Sequence, residues 1–569
     1  MLENDGVPVP LTIPRQKGTI QLAVTEVTVA GRRYVTEYDV QFAGLSGRDH
    51  TEQAMRTFSM FDRRGFLAGA TVLGGTAALA PLLPAWAQSG AQGLRPDMPT
   101  LSGEDIALRI GHSPFTVGGR TGRAVTINGT LPAPLLRFRE GQNARIVVTN
   151  TLEEDTSIHW HGVLVPFQMD GVPGVSFPGI HPGETFVYDF QIRHAGTFWY
   201  HSHSNLQEQL GHYGPLVFDP AGVDPVGYDR EHVLVLSDWS FMNPHTMLRK
   251  LKGMSDYFNR QQQTFAGLLE GSDPAQMMPL DEQLMWDRMR MDPTDIADIT
   301  GTTYTYLING HGPRENWTGL FQPGERVRLR VINASAMTVF NVRIPDLRMT
   351  VVQADGNDVL PVAVDEFQVS VAETYDVIVE PADDRAYTIV AESADRSGMG
   401  RGTLAPRMGM AAVVPPLRPR PTLGMDDMGM AGMDHGSMRG MDHSAMAAMG
   451  QRGNMAGTDT GSMDMRDESL APPDMKVGVG VDMIAMDPQD ATGKPGLGLE
   501  NVGHKVLVYT DLVALKANPD PRSPSRSMDI HLGSRHESDH HVPLVRTKRD
   551  DPGSPCPTGV AFHAQTHCL

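Results

Sequence analysis

The body of this chain has no cysteine. Its two, Cys556 and Cys568, both fall in the last fourteen of 569 residues, which excludes a disulfide framework or a Cys-rich zinc site from everything before them. Basic charge is also scarce: 48 Lys and Arg stand against 67 Asp and Glu, a formal net charge of -19. That balance repels phosphate backbones, so nucleic acid is not an expected partner and cations are. Long apolar runs are missing as well. The one candidate, Leu67 to Leu83, is seventeen residues rich in Gly and Ala and interrupted by Pro81, a poor membrane span. With 40% hydrophobic, 20% charged and 7% aromatic residues, the composition is that of a soluble globular protein rather than a transporter. The length suggests three to four domains at roughly 150 residues each.

What the chain has in excess is methionine, 33 residues, and glycine, 59. Methionine fills cores but is also a thioether ligand, so its placement matters. Around the apolar run, Arg63-Arg64 before it and Ala85-Trp86-Ala87 after it read as a twin-arginine export signal over 60–87, cleaved after Ala87. This predicts passage through the Tat export machinery into the periplasm, with no membrane insertion after cleavage. Residues 1–59 do not fit ahead of such a signal and are read as a misassigned extension, whatever the strand-like alternation of Gln21 to Val27.

From about residue 104 the pattern changes to short alternating runs between Gly and Pro turns, such as Ile106 to Ile110, Ala144 to Asn150 and Thr185 to Phe190. Alternation at this spacing predicts an all-β fold of packed antiparallel sheets. Arg137 to Asn150 and Phe321 to Asn333 each read as a Gly-bearing turn, an alternating strand and a terminal Asn, which suggests a duplicated β-domain. Domain boundaries are expected near 95–222 and 228–420, with a helical insertion at about 242–300 where β-branched residues thin out. Met277, Met278, Met285, Met289 and Met291 lie in that insertion and read as helix packing residues. A third block over 471–532 starts strand-like again at Lys505 to Tyr509.

Residues 421–468 are of another kind. Met425, Met428, Met430, Met433, Met438, Met441, Met446, Met449, Met455, Met463 and Met465 sit among Gly, Asp and Ser, with repeats Met433-Asp434-His435-Gly436 and Met441-Asp442-His443-Ser444. No helical or strand period runs through them, so a disordered segment is expected. Thioethers favour Cu(I), and His435 and His443 can accept Cu(II). This points to a copper-binding linker.

The sharpest local signal is Ile158-His159-Trp160-His161-Gly162, followed by Phe198-Trp199-Tyr200-His201-Ser202-His203. Alternate residues of a strand point the same way, so each His-x-His pair can turn two imidazoles to one face. Four imidazoles without thiolate or carboxylate suit copper better than magnesium or calcium.

These motifs, with Met169 to Val175, Tyr304 to Gly310, Ala372 to Val377 and the Met-rich segment, resemble the multicopper oxidases, and within them the periplasmic copper-resistance oxidases. The resemblance implies three cupredoxin domains, Greek-key β-sandwiches. It implies that His159 holds the type 2 copper, His161 and His201 one copper of the type 3 pair, and His203 the other. It also implies that Asp170 supports proton delivery, although on sequence alone an Asp before Gly is more often a turn former. In the family an outer reductant, Cu(I) or a phenolic compound, delivers electrons through a type 1 copper, and dioxygen is reduced to water.

The resemblance stops near Ile530. The family's third-domain His-Pro-x-His-x-His and His-Cys-His motifs do not follow, and residues 533–569 read as an aberrant, frameshift-like tail ending His567-Cys568-Leu569. Taken literally, the chain carries half of the trinuclear ligand set and no type 1 site, and is expected not to turn over alone. A competing reading is a non-catalytic periplasmic copper-sequestering protein built on the Met-rich segment and the His pairs. A two-domain laccase or nitrite reductase is disfavoured, because it needs a Cys ligand in the first two domains.

Overall fold

The computed structural model describes residues 9–15, 18–29, 32–43, 98–254, 256–259, 292–296, 299–301, 303–424 and 490–517, with the single positions 286, 427 and 469. The export signal, most of the insertion, the Met-rich segment from Met428 to Met465 and the tail therefore lie outside the described residues. Two compact units divide the chain at Ala80. In the first, β1 (Val9–Arg15), β2 (Gly18–Val29) and β3 (Arg32–Ala43) form an antiparallel three-stranded sheet.

The described residues of the second unit form two successive β-sandwiches. The first comprises β4 (Thr100–Ser102), β5 (Asp105–Val117), β6 (Arg120–Ile127), β7 (Leu135–Arg139), β8 (Asn143–Asn150), β9 (His159–His161), β10 (Thr185–Gln191), β11 (Gly196–His201) and β12 (Tyr213–Asp219). Its sheets run β10-β8-β5-β6 and β4-β7-β12-β11-β9. Both mix antiparallel and parallel pairs, as when β5 lies antiparallel to β6 and parallel to β8. Alternation does what the sequence predicts: Ile106, Leu108 and Ile110 point inward from β5 and meet Ala144, Ile146 and Val148 of β8 in one core.

The second sandwich comprises β13 (Arg230–Ser240), β14 (Tyr304–Ile308), β15 (Trp317–Leu320), β16 (Val327–Asn333), β17 (Phe340–Arg343), β18 (Met349–Ala354), β19 (Asn357–Val364), β20 (Glu366–Val369), β21 (Thr374–Val379), β22 (Tyr387–Ser393) and β23 (Met399–Ala405). Its sheets run β14-β13-β16-β21-β18-β19 and β15-β23-β22-β17-β20. Within the insertion, α1 (Pro244–Gly253) is capped by Asn243, whose side chain accepts from the His245 and Thr246 N–H groups, and it buries Met247. No described helix is long and apolar enough to cross a membrane.

The duplication is visible in its hydrogen bonds. Asn150 and Asn333 are both fully buried. Asn150 Nδ2 donates to the Glu154 and Ile180 carbonyls, while Asn333 Nδ2 donates to those of Thr338 and Val369. Each also accepts, through Oδ1, the N–H two residues onward. Ile127-Asn128-Gly129 and Ile308-Asn309-Gly310 repeat a second device, in which a left-handed Asn (φ 54° and 51°) bonds the backbone of the neighbouring strand on both sides.

The third block departs from the sequence reading. Over Lys505 to Tyr509 there is a single bridge, Val506 to Glu366, and Tyr509–Asp511 is a 3-10 turn. The segment docks along β20 instead of forming its own strand, because Leu507 is drawn into the core of the second sandwich.

Candidate metal centre

The four histidines converge. In β9, Trp160 turns inward and is 1% exposed, so His159 and His161 must face the other way. β9 pairs antiparallel with β11, setting His161 opposite Trp199 and His159 opposite His201. His203 follows two residues after His201, and its N–H is held by Ser157 Oγ at 3.0 Å. One ring nitrogen from each of His159, His161 and His201 lies within 4.8 Å of the others. The His203 ring centre lies 4.6 Å from that of His159 and 4.9 Å from that of His201.

β9 is the edge strand of its sheet, so the cluster sits at a rim open on one side. β11 is fixed more firmly. At its start Thr197 N–H donates to Gln353 and its hydroxyl to Asp376, both in the second sandwich. At its end Trp199 stacks on the His201 ring at 4.1 Å and 18°, while the Trp199 indole N–H donates to the Ala372 carbonyl.

Hydrogen bonds set the tautomers. His159 Nδ1 lies 2.7 Å from the Asp170 carbonyl oxygen, an acceptor only, so Nδ1 must carry the proton and Nε2 is left with a lone pair. The Asp170 carboxylate is 3.4 Å from the same nitrogen. His201 Nδ1 lies 2.9 Å from Glu208 Oε2. His201 Nε2 and His161 Nδ1 are buried without a hydrogen-bond partner among the described residues. Burial, reinforced by the neighbouring imidazoles, lowers His161 and His201 to about 3 and His203 to about 4. All three rings are neutral at pH 7, the form that ligates a metal. Burial pushes the Glu208 carboxyl up to about 7.

The Asp170 contact depends on Gly171, whose φ of +76° and close approach let the loop pass under β9. Around the other side, Gln207 accepts from Thr156 and Ser202 and donates to Glu154 and the Asp155 carbonyl. The structure thus brings together His159, His161, His201, His203 and Asp170. Met425, Met428, Met430, Met433, His435, Met438, Met441, His443, Met446 and Met449 lie outside the described residues. Sequence reasoning passed over Glu208 and the Trp199 stack. The only signal was a carboxylate a short loop after the second His pair.

All-imidazole donors with free buried lone pairs fit copper, zinc, iron or nickel on chemistry alone. Tandem β-sandwiches with imidazoles meeting at a sheet edge define an all-β protein with a candidate metal centre. Two family models described as multicopper oxidase match residues 110–222 and 230–407, and the chain belongs to that family, on the branch of copper resistance protein A. It is 47% identical to copper resistance protein A of Escherichia coli over 498 residues, 83% of this chain and 81% of that one. It is 48% identical to the copper resistance protein A homolog of Pseudomonas syringae pv. tomato over 458 residues, 79% and 77% of the two chains. Among solved structures, the laccase of Botrytis aclada is 28% identical with a TM-score of 0.43, over 57% of this chain and 56% of that one. Membership narrows the metal to copper.

Proposed function

We propose that this protein is a periplasmic copper-resistance oxidase in which His159, His161, His201 and His203 supply the first sandwich's share of a copper cluster. The carrying observation is the convergence of these imidazoles, with His161 Nδ1 and His201 Nε2 buried and unpartnered among the described residues. Bound copper would supply one-electron chemistry with dioxygen as acceptor and Cu(I) or a phenolic compound as reductant once a further domain completes the cluster and adds a type 1 site; the chain by itself is not expected to turn over. The chain's own part is to hold neutral imidazoles in place. Asp170 fixes the His159 ring through its carbonyl and keeps its carboxylate beside the cluster, where it can pass protons. Leu164, Phe167 and Val175 in the loop between β9 and Phe177 are exposed, an apolar rim suited to a further ligand-bearing domain. Export by the Tat route fits the twin arginine.

The test is Cu(II) titration of the wild type beside the His159→Ala/His203→Ala double variant. The double variant is expected to lose the nitrogen-ligated Cu(II) signal. Equal binding by both proteins would reject the site. Copper sequestration is a second reading, favoured by the eleven Met between Met425 and Met465. Under it, deleting 421–468 removes most bound copper while leaving the His signal intact.

A further inference from the structure

Of the four clustered imidazoles, His201 is the one whose far nitrogen meets a side-chain carboxylate at hydrogen-bond distance, Glu208 Oε2 at 2.9 Å. The opposite nitrogen, Nε2, is buried without a partner among the described residues. Glu208 is itself held from both sides. Its predecessor Gln207 is 1% exposed, with Oε1 accepting from Thr156 at 2.7 Å and Ser202 at 2.9 Å. Its successor Gln209 reaches the second sandwich, donating to the Asp238 carbonyl at 3.2 Å and accepting from the Tyr304 hydroxyl at 2.6 Å. The turn bearing Glu208 is therefore clamped between the two sandwiches.

We propose that Glu208 is a positioning residue for copper. Resting on the copper reading above, this gives Glu208 two tasks: it keeps the His201 proton on Nδ1 and aims the Nε2 lone pair into the cluster. Carboxylates placed behind metal-bound imidazoles orient the ring and raise its basicity, and their loss commonly weakens metal binding by roughly 10- to 100-fold. Through Gln209 and Tyr304, the second sandwich acquires a grip on a copper ligand of the first.

The full-length chain is titrated with Cu(II) against a competing chelator and examined by electron paramagnetic resonance, for wild type, Glu208→Gln and Glu208→Leu. The His159→Ala/His203→Ala variant defines copper held elsewhere. Glu208→Gln keeps size and one acceptor oxygen but replaces the carboxylate by an amide, and Glu208→Leu loses the acceptor altogether. The expected order of affinity is wild type, then Gln, then Leu, with a loss of roughly 10- to 100-fold overall and an altered copper hyperfine splitting. Metal-free unfolding midpoints should stay together. A residue that merely packs the loop would move those midpoints and leave the splitting of bound copper alone, which would overturn the proposal. So would wild-type affinity and spectrum in Glu208→Gln, the isosteric variant that protects the test if Glu208→Leu fails to fold. Wild-type protein binding no more Cu(II) than the double His variant would overturn this proposal and the copper reading together.

Discussion

At Gly171 the backbone stands at φ +76°, and a Cβ there would lie 1.7 Å from the Ile158 carbonyl oxygen. Gly171→Ala combines a strained backbone with a clash against the residue that leads into β9, and a loss of at least about 2 kcal/mol is expected. Urea unfolding measures it, and an unchanged midpoint would mean that the loop does not pass under β9. His212 poses a different problem. It is fully buried, and neither ring nitrogen has a hydrogen-bond partner among the described residues. Burial, with a smaller contribution from His201, lowers its pKa from 6.5 to about 3. As pH falls the unfolded chain takes the proton first, so this contribution to stability is complete above about 6.5 and fades below it, by on the order of 1 kcal/mol per pH unit. Metal-free His212→Leu should accordingly overtake wild type in stability as pH drops from about 7.5 to about 5. Parallel decline of the two proteins would assign the acid sensitivity to other groups.

Among the elements, the paired use of Asn150 and Asn333 gives the duplication an energetic content. Each closes its strand, β8 or β16, with two donated bonds and one accepted bond in a fully buried setting. Removing the amide strands buried carbonyls and an N–H, which costs about 2 to 4 kcal/mol summed over those bonds. Asn150→Ala and Asn333→Ala should be destabilised to a similar extent in denaturant unfolding. A large cost at one and none at the other would argue against equivalent roles. These strands were legible in the sequence because alternation and a terminal Asn are local signals. The Lys505 to Tyr509 run misled for the same reason: its alternation is equally local, but its partner, β20, lies more than a hundred residues earlier and accepts only one bridge.

In the whole molecule, two buried charge networks hold the parts together. Asp376, 1% exposed, binds Arg328, Arg330 and Thr197 between the sandwiches. Asp376→Ala leaves two buried guanidiniums short of a partner, and a cost of roughly 3 to 5 kcal/mol follows. Because Thr197 starts β11, copper affinity at His201 should fall as well. Intact affinity in a destabilised variant would uncouple the interface from the site. The second network fastens both flanks of the Met-rich tract. Arg418 pairs with Glu366 and Glu392 at 2.6 Å each, His504 meets Glu366 at 2.8 Å, and a Cβ at Gly498 would touch Pro421 at 2.9 Å. The ends of this long loop are already together, so shortening it changes closure entropy by only about 1 kcal/mol or less. Deletion of 428–465 should leave the thermal midpoint within a few degrees. A collapse of the midpoint would show that the tract itself supports the fold.

The sequence by itself determined the all-β class, the repeated strand-and-Asn unit and the four histidines, because each is written in periods of two residues or in motifs a few residues long. Period-two geometry alone puts His159 and His161 on one side of Trp160. Only the tertiary structure decided that His159 lies opposite His201 across β9 and β11, with His161 and His203 beside them, and that Asp170 and Glu208 stand behind His159 and His201. It also decided that the second sandwich clamps the strand carrying His201. These relations join residues brought together by strand order and loop path, and neither residue type nor local spacing encodes such distances.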